Sequence, residues 1–126
     1  MTEFLQPKGW ERASGYAYGV AARGRIICVS GIIGSGADFV SQTRSALQKI
    51  VAILAEANAQ PEHIVRMTWY VVDKAEYIRE QKAIGAVYRE VIGKHYPAMT
   101  AVQVAGLIED AARVEIEVTA VAPDDS

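Results

Sequence analysis

Cysteine, histidine and phenylalanine are all scarce in this 126-residue chain: one Cys, two His and two Phe. A lone cysteine, Cys28, excludes an intramolecular disulfide and any metal centre built on several thiolates. His63 stands before an expected strand and His95 after an expected helix. No ligand spacing links them, so no metal is expected. Basic residues are not in excess either, with 13 Lys and Arg against 15 Asp and Glu and a net charge of −2. Nucleic-acid binders draw affinity from a basic surface, so neither nucleic acid nor a membrane surface is expected as a partner. No apolar run approaches the ~20 residues of a membrane span. Met1 to Phe4 supply neither a basic n-region nor an apolar h-region. A reduced, cytoplasmic setting is the expectation.

What the chain does hold is core material. Hydrophobic residues make up 51% of it, enough for one packed domain over 1–126. No linker or repeat divides it, and only Pro123 to Ser126 read as a frayed tail. Tyr16 to Ala22 and Arg25 to Ser30 are β-prone and meet at Arg23-Gly24, which predicts a hairpin. Ile26 to Val29 form an unbroken apolar run, the pattern of a strand buried on both faces, with Cys28 as an inert packing residue. Gly31, Gly34 and Gly36 follow. They lack the Lys-Ser/Thr ending of a phosphate loop, so a tight strand-to-helix connection is predicted.

The spacing of Leu47, Ile50, Val51 and Leu54 predicts a helix over 38–57, capped by Asp38 and ended by Asn58 in the left-handed conformation. Residues 64–72 are β-branched and aromatic and read as a strand. Asp73 to Glu76 fits a capping box, opening a second helix that runs to about Gly93. Thr100 to Val104 and Ala112 to Val121 supply the last strands. In the latter, Val114, Ile116 and Val118 alternate with Glu115, Glu117 and Thr119, which places the two glutamates on one face. The order β-β-α-β-α-β-β predicts an α+β two-layer sandwich, a mixed sheet with both helices on one face. The other face, carrying Tyr, Val and Met side chains, then needs cover, and a homo-oligomer is expected.

Several patterns, taken in order, resemble the Rid/YjgF family of reactive-intermediate deaminases over almost the whole chain. They are Gly15-Tyr16-Ala17-Tyr18-Gly19-Val20, Val29-Ser30-Gly31, residues 42–50 from Gln42, Ile64 to Thr68, Tyr96-Pro97-Ala98, and Val114-Glu115-Ile116-Glu117-Val118-Thr119-Ala120. The resemblance implies a chorismate-mutase-like sandwich forming a homotrimer, with clefts between subunits. It also implies cofactor-free hydrolysis of small enamines or imines such as 2-aminoacrylate to keto acids and ammonia. Mapped onto this chain, Tyr16, Ser30 and Gly31 would stand near one side of the cleft, and Glu115 would position water. The Ala101 backbone would face the substrate.

Two positions depart from that pattern. Deaminating members clamp the substrate carboxylate with an arginine after Pro-Ala, where this chain has Met99, and commonly carry asparagine where it has Gly85. A charge-assisted hydrogen bond of that kind contributes about 1.5–3 kcal/mol. A pocket walled by Met99 and Tyr16 is therefore expected to take a neutral or aromatic small molecule. A non-catalytic ligand-binding trimer is the alternative, and the ribonuclease activity ascribed to some relatives is not expected from this charge balance.

Overall fold

A computed structural model describes residues 2–124; Asp125 and Ser126 of the expected tail lie outside them. The strands are β1 (Thr2–Leu5), β2 (Gly19–Ala22), β3 (Arg25–Ile32), β4 (Ile64–Val71), β5 (Ala98–Gln103) and β6 (Val114–Ala122). The helices are α1 (Phe39–Glu56), α2 (Lys74–Arg79) and α3 (Gln81–Val91). The main sheet runs β3-β6-β4-β5, antiparallel except for the parallel β4–β5 pair. Alternation along β6 decides which face is inside. Val114, Ile116, Val118, Ala120 and Ala122 are buried, while Glu115, Glu117, Thr119 and Val121 point the other way. The inner residues pack with Leu47, Ile50 and Leu54 of α1 and with Ile84 and Val87 of α3. The expected α+β sandwich is therefore present, with its helices on one face. None of the helices is long and apolar enough to cross a membrane.

The predicted β2–β3 hairpin does not form. β2 pairs with β1, and β3 pairs with β6. Gly24 is the cause: at φ 144° its α-carbon lies against the Ala122 carbonyl, which sends the chain onto the last strand. The strand β1 was not foreseen. Nor is β3 buried on both faces, since Ile26 is 70% exposed and Cys28 is also exposed. The open face of the sheet thus carries Ile26, Cys28, Tyr70 and Val121 among polar groups. Methionine was also expected on this face, but Met67 faces the helices and is fully buried.

Helix termini follow the sequence closely at α1 and less so at α2. Asn58 adopts φ 57° beyond the α1 terminus. The second helix breaks at Glu80 into α2 and α3. Asp73 caps α2 by accepting from the N–H groups of Ala75 and Glu76. The Glu76 side chain does not close the box but pairs with Arg113 at 2.8 Å, tying α2 to the start of β6. At α1 the Asp38 carboxylate accepts from the Ser41 N–H at 2.8 Å, and the Ser41 hydroxyl accepts from the Asp38 N–H in return.

The Ser41 N–H bond holds the Asp38 carboxyl below its usual range. A pKa lower in the folded state means the cap's contribution is present above the ordinary carboxylate range and is lost as pH falls through the folded value. Asp38→Ala should therefore lower the melting midpoint at pH 7, and the gap from wild type should shrink toward pH 2. Circular-dichroism melts across that range are the check, and an undiminished gap at low pH would count against the cap.

Candidate functional site

Segment 14–18 is fixed by its neighbour strand. The Ala17 N–H donates to the Pro97 carbonyl at 3.0 Å, and Ala17 bridges in parallel to Ala98. This brings Tyr16 against β5. Between the segment, β5 and α3 opens a cavity of about 680 Å³, a size ordinary for small-molecule sites. Tyr16, Gly85, Met99 and Ala101, four of the residues expected at the site, line it. Trp69, Tyr77, Tyr88 and Tyr96 complete a largely aromatic wall.

The wall is built rigidly. Tyr88 stacks on Tyr96 at 5.5 Å and donates its hydroxyl to the His95 carbonyl. Burial, with a smaller contribution from neighbouring Tyr96, raises the Tyr88 phenol above its ordinary pKa, which favours the neutral form. Met99 stands opposite Met67 in the parallel register and leans on the core. Trp69 is 4% exposed, and its indole N–H finds no acceptor among the described residues. Among the lining residues outside the expected set, the charged one is Arg89. The signal was available, because residue 89 falls one turn beyond Gly85 on the same face of α3.

The remaining expected residues gather elsewhere. The β3–β6 register shifts between Val29 and Ile32, so Ser30 and Gly31 form a β-bulge, a device that commonly re-aims side chains. The Glu115 carboxylate lies on the bulge: a Cβ built at Gly31 would stand 2.0 Å from Glu115 Oε2. Gln42 holds this arrangement from behind. Its buried amide donates to the carbonyls of Gly36 and Ala111 and accepts from the Arg113 N–H, so one side chain joins the glycine loop to the strand that carries Glu115.

The two glutamates of β6 share the open face but not their surroundings. Tyr70 donates its hydroxyl to Glu117 at 2.5 Å, and that bond, with burial and the nearby carboxylates, raises the tyrosine's pKa. Glu115 has no hydrogen bond or ion pair among the described residues. It is the carboxylate left available for a ligand or for water.

Within one chain the two groups stay apart. Tyr16 does not meet Ser30 and Gly31 within one chain; the expected grouping concerns a cleft between copies. The cavity lies at the β5 edge on the helix side, whereas Ser30, Gly31 and Glu115 stand on the open face of β3 and β6. β4 intervenes between β6 and β5, and adjacent strands are about 4.8 Å apart.

With this geometry in view, the comparisons with known proteins carry more than a name. The family model described as Endoribonuclease L-PSP matches residues 10–122. The chain belongs to this family. Among curated L-PSP relatives, a RutC family protein of Pyrococcus abyssi is 35% identical over 85 residues, which is 68% of this chain and 61% of that protein. The match thus spans less than two thirds of that relative's length. A solved YjgF/YER057c/UK114 family protein from Mycobacterium tuberculosis is 34% identical, covers 97% of this chain and all of its own, and superposes with a TM-score of 0.69. Escherichia coli TdcF, solved with bound serine, is 28% identical with a TM-score of 0.67, covering 95% of this chain and 98% of its own. The Rid/YjgF resemblance read from the sequence is thereby borne out across nearly the whole chain.

Proposed function

We propose that this L-PSP family chain is a cofactor-free hydrolase of small imines or enamines, working in clefts that a second copy of the chain completes. The observation that carries the reading is the division of the site. One chain offers an aromatic-walled cavity without a carboxylate on its β5 edge, and an available carboxylate on its open sheet face. A cyclic oligomer brings the open face of one copy to the β5 edge of the next, and burial of Ile26, Cys28 and Val121 would favour that contact. The trimer implied by the family resemblance has this head-to-tail character. TdcF, with its bound serine, supports a site of amino-acid size.

The chemistry follows from the groups present. Glu115 accepts a hydrogen bond from water and directs an oxygen lone pair at the imine carbon. The C–O bond forms as the C=N π pair moves to nitrogen, giving a carbinolamine. Collapse of that species breaks the C–N bond, restores a carbonyl and releases ammonia. Glu115 takes one proton from the attacking water and passes it to the nitrogen, then relays the carbinolamine's hydroxyl proton to that nitrogen as the C–N bond breaks, so both water protons leave with ammonia. Tyr16 orients the substrate, Met99 shapes the wall, and Ser30 and Gly31 present the carboxylate.

Freshly generated 2-aminoacrylate, offered to the wild type and to Met99→Arg, tests the reading. The wild type should be slow. The variant should be faster by about tenfold or more, the value of one charge-assisted clamp. A fast wild type would show that Met99 is not what limits small substrates. If neither protein releases ammonia from 2-aminoacrylate or from bulkier imino acids, the hydrolase reading fails, and a ligand-binding oligomer takes its place.

A further inference from the structure

The cavity carries one charge, and it enters from α3 rather than from β5. Arg89 is the single charged residue among those lining it. It makes no ion pair or hydrogen bond among the described residues, while its neighbour Glu90 is taken by Arg44. A guanidinium at the mouth of an aromatic cavity with no partner of its own is a vacant five-donor fork.

Gly85 explains how it gets there. Side chains on a helix lean toward its N-terminus, so Arg89 lies back over the residue one turn earlier. A Cβ built at Gly85 would meet Arg89 Nη1 at 3.4 Å. Alanine would just fit, but any longer side chain would compete for the guanidinium's place. Met99 and Gly85 therefore belong together. The first leaves the β5 wall uncharged, and the second clears the route by which a cation arrives from the opposite wall.

We propose that Arg89 is the anion anchor of this cavity, and that its ligand is a small organic acid with an aromatic or apolar body, its carboxylate held from α3. The proposal deepens the reading above and rests on this cavity being the ligand half of the cleft. It also revises the expectation of a neutral ligand, which considered only position 99. Tyr16, Tyr77, Tyr88 and Tyr96 supply flat surface for the body of the acid.

Phenylpyruvate, a keto acid with an aromatic body, and its uncharged methyl ester are suitable probes, titrated by calorimetry on the intact protein. Wild type should bind the acid more tightly than the ester by about tenfold or more. Arg89→Gln should remove that preference by weakening the acid far more than the ester, while Arg89→Lys keeps part of it. Gly85→Asn, which retains the charge but crowds it, should also weaken acid binding. Equal binding of acid and ester by the wild type, no binding of the acid at millimolar concentration, or an Arg89→Gln variant that keeps the preference would each overturn the assignment. Because the readout is affinity, it is separate from turnover. A protein that binds phenylpyruvate through Arg89 yet hydrolyses nothing would sink the hydrolase reading and leave this one standing.

Discussion

Glu115→Gln should lower imine hydrolysis by about 10²–10⁴-fold, the usual contribution of a positioned acid–base group, with ligand affinity and melting midpoint close to those of the parent. The amide keeps the size and shape of the carboxylate against the Gly31 backbone, so packing is preserved. What it loses is the ability to take a proton from water. Glu117→Gln is the matched comparison, two residues along the same strand and on the same face. Its carboxylate is already engaged by the Tyr70 hydroxyl, so the substitution should alter turnover far less than Glu115→Gln does. Ammonia release under saturating and limiting substrate separates kcat from KM. A Glu115→Gln enzyme with undiminished kcat would remove this residue from the chemistry. Equal losses in both variants would point instead to a general effect of charge on the open face.

The legibility of these features in the sequence tracks the range of the interactions behind them. The α1 cap at Asp38, the left-handed Asn58 and the alternation of β6 are decided within a few residues, and all were readable. The partner of β3 was not. The turn at Gly24 is a local signal, but the strand it feeds lies almost at the other end of the chain, and periodicity carries no information about that. The same reason hid the solvent exposure of Ile26: an apolar run looks alike whether its second face is covered by the chain's own layers or left open. For the site, the family resemblance named Tyr16, Met99, Ser30, Gly31 and Glu115 but not their placement on two separate surfaces of one chain, because a motif does not record which face of the sheet each residue takes. Arg89 lies outside every motif, and only the glycine one turn earlier on α3 marks the space its side chain takes.

Two glycines three residues apart should respond to alanine in opposite ways. At Gly34 a Cβ would fall 2.1 Å from the Gln42 carbonyl oxygen and 2.6 Å from the Ala46 nitrogen. Those atoms belong to the backbone of α1, which is anchored in the core by Leu47 and Ile50 and cannot yield without lifting the helix. Overpacking of this kind costs about 3 kcal/mol or more, and Gly34→Ala should melt roughly 10 °C or more below the parent. At Gly31 the three atoms nearest the added methyl all belong to the Glu115 side chain, Oε2 first. A flexible side chain can swing aside, so Gly31→Ala should stay within a few degrees of the parent in a thermal melt. The carboxylate would no longer rest on the bulge, however, and hydrolysis should fall toward the level of Glu115→Gln. Melting curves and ammonia release measured on both variants decide the matter. If Gly31→Ala proves fully active, the carboxylate does its work from some other position. If Gly34→Ala is as stable as the parent, the glycine loop is not held against α1 as described.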